Sequence, residues 1–364
     1  MNVLKSRPKV TIDVGPLFED MWTGIPVFTR RLVQSLLRHG GVDVEFSFNL
    51  TRIPPDRVLA AIHAGTGSFL REDFEKKHAD EYGLVDRNSH LLFPSVKGRL
   101  DVCQYEASTV HDMSTLVMPE NHEEANISYH LDDLCDELTS NELVFCVSEA
   151  TRAALITSFP SASTKARVLY QYADWPDEFE VLDHNQPPIS LGRFAVVVGT
   201  IEPRKNLSLL INALSMPEVM RSDLKFVVIG RKGWLVDKFL TELSTEARNR
   251  LLFSGFVSEF IKYRLIKAAE FLIFPSLYEG FGIPALEAMS LGKPVLAART
   301  SSFPEVIADA GVYFDPLSTS EFAAAFAEIE SEGRIRELAP KAIAQCATFG
   351  WQRMAAPVVE WVSG

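Results

Sequence analysis

Residues 271–288 read FLIFPSLYEGFGIPALEA, an apolar run that passes through two glycines into the start of a helix. FLIFPS is short, apolar and closed by Pro275 and Ser276, the pattern of a strand buried on both faces. Pro284 fits the first helical position, where its missing N–H costs nothing. Gly280 and Gly282 let the backbone turn sharply and bring its amides near a ligand. A helix N-terminus carries unsatisfied N–H groups and a positive dipole end, so the turn suits a phosphate. Glu279 stands at the mouth of this turn and Glu287 about one turn inside the helix. Neither carboxylate suits the phosphate itself; both suit sugar hydroxyls on either side of it.

The same strand-to-helix alternation runs outward in both directions. Upstream lie FAVVVGT (194–200), the helical LSLLINALSM, LKFVVIG (224–230), GWLVDKFLTEL (233–243), LLFSGF (251–256) and IKYRLIKAAE (261–270). Downstream come PVLAA (294–298), FPEVIADAG (303–311) and VYFDP (312–316). Alternating strands and helices predict a doubly wound parallel sheet, and VVVG and FVVIG are apolar on both faces, as covered strands should be. No G-x-G-x-x-G follows a strand and no G-x-x-x-x-G-K-[ST] occurs, which argues against a nicotinamide dehydrogenase and a P-loop kinase. Arg204 and Lys205 follow the first of these strands. An RK pair is ordinarily surface charge; beside the 279–288 turn it becomes a diphosphate clamp, Arg by its fork and Lys as a point charge.

The first half repeats the theme less cleanly. KVTIDV (9–14), the loop GPLFEDMWTGIP, the helical VFTRRLVQSLLRHGG and VDVEFSFNL form a βαβ unit. Val27, Leu32, Leu36 and Leu37 can share one helix face, with Gly40 or Gly41 as the stop. Gly24 either brings amides up to a diphosphate or simply makes the turn. A helix near 54–64 and the charged REDFEKKHADEY (71–82) read as solvated surface. LLFPS (91–95) and DVCQYEAS (101–108) are strand-like, and His111-Asp112 follows at a strand's carboxyl end, where ligands of open α/β sheets gather. A lone histidine is usually structural, and here the position makes a functional role an equal alternative. His122 and His130 match no zinc helix spacing and read as surface residues. LVFCVSE (143–149) leads to EATRAALITSF, capped by Ser148 or Thr151, and KARVLYQYAD (165–174) closes the half. WPDEFEVLDHNQPPISLG (175–192) shows neither periodicity and reads as a linker. Three helical segments follow residue 319; the last has Trp351, Val358, Val359 and Trp361 as an apolar face able to pack on the first domain. The expected domains are 1-178, a linker 179-192, 193-350, and a helix 351-364 crossing back.

At 364 residues the chain has room for two domains, and a net charge of −12 argues against a nucleic-acid binder. The N-terminus lacks the apolar core of a signal peptide, no run approaches a membrane span, and four cysteines show no C-x-x-C spacing. Together these predict a cytoplasmic protein. No D-x-D stands in a context suited to a metal, and two cations at the phosphate make one unnecessary.

The stretch EGFGIPALE, with Glu279 and Glu287 separated by seven residues, resembles the hallmark of the retaining glycosyltransferases of family 4, whose pattern is E-G-F-G-[IL]-P-x-L-E-A-M. GTIEPRKNLSLLINAL, LGKPVLAARTSSFPEV and SGFVSE (254–259) resemble further segments of that family, densely from about 194 to 316. HDMSTLVMPENH and VSEATRAAL look like the related bacterial polysaccharide enzymes. The resemblance implies an α/β GT-B fold, two Rossmann-like doubly wound domains facing across a cleft. It implies that Arg204 and Lys205 hold the diphosphate of a nucleotide-sugar, and that Glu279 binds the transferred sugar near Gly280, Phe281, Gly282 and Ile283. Glu287 would bind the ribose, Val257 the base through its backbone, Gly24 would face the diphosphate, Thr200 would be among the nucleotide-sugar-binding residues, and His111 would lie at the reacting centre. The catalytic set is then His111, Lys205 and Glu279, with no metal. Family members often read G-I-G where this chain reads Gly24-Ile25-Pro26. The implied activity is hexose transfer, mannose from GDP-mannose, to a hydroxyl of a glycan or lipid-linked acceptor at the inner face of a membrane. UDP- or dTDP-sugars are alternative donors. Another enzyme on the same fold and a non-catalytic partner subunit are the alternative classes.

Overall fold

The computed structural model describes residues 7–71, 83–97, 99–122, 124, 127, 128, 133–231 and 244–364. His130, most of REDFEKKHADEY and the segment GWLVDKFLTEL lie outside the described residues. The chain divides into two compact units, Met1–Gln171 with Gly350–Gly364, and Tyr172–Phe349.

The first unit holds a sheet of β1 (Lys9–Asp13), β2 (Asp43–Phe48), β3 (Thr51–Ile53), β4 (His90–Phe93), β5 (Tyr105–Val110), β6 (Leu143–Cys146) and β7 (Ala166–Val168). Their order is β3-β2-β1-β4-β5-β6-β7, parallel throughout except for β2 with β3. The short β3 has no counterpart among the expected elements. It follows a two-residue turn in which Asn49 and Leu50 both have positive φ, at 49° and 66°. That is the twist of a tight hairpin, usually marked by glycine, and Leu50 conceals it. The strand expected over 101–108 begins later, at Tyr105, because residues 101–104 bend.

The helix Ile25–His39 buries Phe28, Leu32 and Leu36, spaced four apart, rather than the face that includes Leu37, which is exposed. It ends at Gly40 in the left-handed conformation, whose N–H bonds to the Leu36 carbonyl. Ser148, not Thr151, caps the helix Glu149–Ser158: its Oγ accepts from the Thr151 N–H. The C-terminal helix Trp351–Ser363 packs on Ile25–His39 within this unit. It buries Met354, Ala355, Val358 and Val362, while the Trp361 indole donates to Glu142 at 2.9 Å.

The second unit holds β8 (Phe194–Val198), β9 (Lys225–Ile229), β10 (Leu251–Gly255), β11 (Leu272–Phe274), β12 (Val295–Ala298) and β13 (Gly311–Phe314). All pair in parallel, in the order β10-β9-β8-β11-β12-β13. β8, β11 and β12 are buried along their whole length, which is why they read as unbroken apolar runs. The order reverses between β8 and β11, as it does between β1 and β4 in the first sheet. Crevices at the carboxyl ends of strands open at such reversals. Residues of the expected linker fold into this unit: Glu178–His184 is a helix, tied down by Asp183 to Arg264 at 2.6 Å and Lys267 at 3.0 Å.

Candidate functional site

The reversal in the second sheet places two loops side by side, 199–206 after β8 and 275–282 after β11. Gly199, at φ +148°, lets the Lys205 stem lie across the end of β8; a Cβ there would meet Lys205 Cε at 3.3 Å. Pro203–Lys205 form a single 3₁₀ turn, stopped by Asn206 in the left-handed conformation. The Asn206 side-chain amide donates to the Pro275 carbonyl at 3.1 Å and the Pro316 carbonyl at 2.9 Å. The Leu277 N–H adds a bond to the Arg204 carbonyl at 2.8 Å. Asn206 thus fastens the cationic turn to the loops after β11 and β13.

Arg204 and Lys205 converge on Glu279. Lys205 Nζ lies 2.5 Å from Glu279 Oε1, and Arg204 Nη1 lies 3.2 Å from Oε2 and 3.0 Å from the Tyr278 carbonyl. Arg204 Nη2 reaches Glu202 at 2.7 Å. Burial pushes the Glu279 carboxyl up, and the adjoining Lys205 and Arg204 charges overcome that and hold it below its ordinary value. The backbone here is equally fixed. Glu279 N–H donates to Ser301 Oγ at 3.0 Å, and Ser302 Oγ donates to the carbonyls of Glu279 and Phe281 at 3.1 and 2.9 Å.

The chain then turns at Gly282, φ +98°, into the helix Ile283–Ser290. A Cβ at Gly282 would lie 3.1 Å from the Phe303 ring, so only glycine fits this approach. Pro284 occupies the second rather than the first helical position, which equally needs no N–H. Phe281 is buried against Phe349, so its side chain belongs to the core. Glu287, in the middle of the helix, is 1% exposed and bonds to Lys262. Val257 lies just beyond β10, ahead of the helix Glu259–Ala268 that carries Lys262, and Thr200 is exposed beyond β8. A single edge of this sheet therefore gathers Thr200, Arg204, Lys205, Glu279, Gly280, Phe281, Gly282, Ile283 and Glu287, with Val257 following β10.

Gly24 and His111 lie in the first unit, around its own reversal. Gly24, exposed at φ +49°, precedes the helix Ile25–His39, and Pro26 begins that helix without strain. Phe28 of the same helix meets the His111 ring edge-on at 4.7 Å between centroids. His111 Nε2 lies 2.7 Å from the Pro94 carbonyl. A carbonyl only accepts, so Nε2 carries the hydrogen and Nδ1 is the acceptor of the neutral ring. Burial pushes the imidazole below its ordinary value, against the pull of the Pro94 carbonyl and the Asp112 charge. Asp112 accepts from the N–H and Oγ of Ser114, at 3.0 and 2.7 Å, and serves that turn. His122 is half-buried rather than a plain surface residue.

Glu202, Asn206, Ser301, Ser302, Lys262 and Trp175 were not singled out from the sequence. Asn206 alone left a signal, since it completes the segment RKN and stands where a helix starts.

Residues 183–345 match the family model described as "Glycosyl transferases group 1". Among curated proteins, the chain is 32% identical over 256 residues to the O-antigen chain mannosyltransferase B of Escherichia coli, covering 67% of this chain and 66% of that one. The match thus spans just under two thirds of that relative's length. Among solved structures, the chain resembles sucrose-phosphate synthase from Thermosynechococcus elongatus, with TM-score 0.70 and 17% identity over 97% of this chain and 98% of that one. It also resembles Anabaena Alr3699/HepE, solved in complex with UDP-glucose, with TM-score 0.65 and 19% identity over 98% and 99%. Both likenesses are of fold, two α/β units with parallel sheets.

Proposed function

We propose, for a chain that belongs to the group 1 glycosyltransferases and carries the GT-B fold, that it moves mannose from GDP-mannose to a hydroxyl of a growing or lipid-linked glycan. The observation that carries this reading is the convergence of Arg204 and Lys205 on Glu279 beside the turn into Ile283–Ser290. Mannose is favoured because the E. coli relative is named a mannosyltransferase. A nucleotide-sugar is favoured by the fold relative solved with UDP-glucose and by the chemistry of the cluster.

In this reading the donor diphosphate lies against Arg204 and Lys205, and departure of the sugar increases the charge on the leaving phosphate. Fixed cations aimed at that charge lower the barrier without reorganising, and each is worth about 3–4 kcal/mol. Glu279 accepts from hydroxyls of the transferred sugar; its ionised state, maintained by the two cations, suits that task. The acceptor hydroxyl arrives on the face the phosphate leaves, and the phosphate takes its proton, so configuration is retained and the cations stand in for a metal. His111, anchored through Nε2 on the Pro94 carbonyl, keeps its Nδ1 as an acceptor for a hydroxyl. Among the described residues no helix is long and apolar enough to cross a membrane. Peripheral contact with a lipid-linked acceptor at the inner face of a membrane belongs to the same reading.

A non-catalytic partner subunit would have no use for a charge cluster of this order. The test is transfer from radiolabelled GDP-mannose, with UDP- and dTDP-sugars in parallel, to a mannan-type or lipid-linked acceptor. Retained transfer of mannose, undiminished by EDTA, is expected. Absence of transfer and of donor hydrolysis with every sugar, in folded protein, overturns the enzyme reading; preference for another donor overturns the mannose assignment alone.

A further inference from the structure

We propose that Ser301 is a positioning residue for Glu279: its hydroxyl holds the peptide plane that precedes Glu279, and so sets the direction in which that carboxylate meets the donor sugar. This rests on the reading of Glu279 as the carboxylate that binds the transferred sugar.

The Tyr278 carbonyl and the Glu279 N–H belong to one peptide group. The N–H donates to Ser301 Oγ at 3.0 Å, and the carbonyl accepts from Arg204 Nη1 at 3.0 Å. A trans peptide carries these two groups on opposite sides, so its plane is pinned at both edges. The peptide that follows Glu279 is pinned as well. Ser302, fully buried, donates through Oγ to the Glu279 carbonyl at 3.1 Å and the Phe281 carbonyl at 2.9 Å. Thr300 adds a third hydroxyl, whose Oγ1 donates to the Leu277 carbonyl at 3.0 Å. All three hydroxyls lie on the loop after β12, which leads straight into the helix Phe303–Ile307. Phe303 is buried there, its ring centre 4.6 Å from that of Phe274.

Two peptide planes flank the Glu279 Cα, and fixing both fixes its φ and ψ. The Cα–Cβ bond then has one direction, and Lys205 and Arg204 take up the carboxylate at its far end. The backbone at Ser301 argues that the hydroxyl is what this position keeps. Its φ is +44°, in the left-handed region where a side chain is strained and glycine is not. Glycine would build the same turn without that cost, but would leave the Glu279 N–H without its acceptor. A strained residue retained beside a charge cluster points to a task for its side chain. Ser302 differs: its φ is −78° and its hydroxyl is buried, so its loss would unsettle fold and site together. Ser301, half-buried and on strained backbone, lets the two effects be separated.

The test compares Ser301→Gly, Ser301→Ala and Glu279→Gln in the full chain. It reads the urea midpoint, GDP binding by titration calorimetry, and single-turnover transfer from saturating GDP-mannose; should another nucleotide-sugar prove the donor, it and its nucleoside diphosphate take their place. Ser301→Gly relieves the strain as it removes the bond, so its midpoint should stay near that of wild type. Ser301→Ala removes the bond and keeps the strain, so its midpoint should be lower. Both should slow transfer about 10-fold, the order expected when a group at the reacting centre is slightly misplaced. Both should bind GDP, which lacks the sugar, within about twofold of wild type. Should Ser301→Ala not fold, Ser301→Gly alone is read against wild type. Wild-type transfer in Ser301→Gly means a structural role and overturns the proposal, as does a loss of GDP binding equal to the loss of transfer. Slow transfer in Glu279→Gln beside wild-type transfer in the Ser301 variants contradicts the role of Ser301 alone. Wild-type transfer in Glu279→Gln contradicts the reading of Glu279 itself, and the proposal falls with it.

Discussion

Asp13 in the first unit and Glu279 in the second are both carboxylates drawn out of solvent at the carboxyl end of a central strand, and they titrate in opposite directions. Asp13, at the end of β1, has the Gly15 N–H at 3.0 Å, and burial pushes its carboxyl up to about 6 despite that bond. Glu279 suffers the same burial, but two cations within 3.2 Å outweigh it. One backbone donor does not balance the loss of water around a charge, and two side-chain cations do. The difference separates a group that folding keeps protonated only up to about pH 6 from one that folding holds charged below its ordinary value.

Removing the charged partner should break this contrast with the largest effect. Glu279→Ala leaves Arg204 and Lys205 adjacent without the carboxylate that joins them, at an expected cost of about 3–5 kcal/mol in urea unfolding at neutral pH. The wild-type contribution of Glu279 also has a defined pH signature. Its folded value lies below the ordinary 4.5, so its stabilisation is full above that value and is lost as pH falls through the folded value. That acid-side loss should be absent in the variant.

Asp13→Asn sharpens the other side. The native form holds this proton more tightly than the unfolded chain, whose ordinary value is 3.8, so wild-type stability falls as pH rises from 3.8 to about 6. The variant, whose amide oxygen still accepts from Gly15, should gain about 1–3 kcal/mol above pH 6 and nothing at pH 3. A gain that persists at pH 3 would show that charge is not the cause.

Asn206→Asp is a smaller probe of how the cationic turn is fixed. It replaces a donor to the Pro275 and Pro316 carbonyls by an acceptor, for an expected loss of about 1–3 kcal/mol and a lowered transfer rate. Asn206→Gly keeps the left-handed backbone and should lose less. Little effect from either would mean that the backbone, and not the two bonds, fixes the turn.

The second unit was legible where its chemistry is local. β8 and β11 are unbroken apolar runs, and Arg204-Lys205 and Glu279 each follow one of them, so the sheet order brings together what the sequence shows at two strand ends. The Glu287 environment was not legible. Lys262 lies 25 residues away on an amphipathic helix, where one more lysine looks like solvated surface, and Trp175 is 112 residues from Glu287 in a stretch without periodicity. No local pattern encodes a contact made only when three segments pack. In the first unit, His111 was visible from its strand-end position, whereas its anchor on the Pro94 carbonyl depends on the neighbouring strand β4. The buried face of Ile25–His39 was misread because Phe28 and Val27 are both apolar, and only packing chooses between them.

The central claim is that Lys205, fixed on Glu279, stabilises the leaving phosphate. The measurement that tests it most directly is single-turnover mannose transfer by Lys205→Ala with donor bound to saturation. The rate should fall by about 10²–10³-fold, the loss of one preorganised donor at a developing charge. Transfer at the wild-type rate in the folded variant would contradict the account.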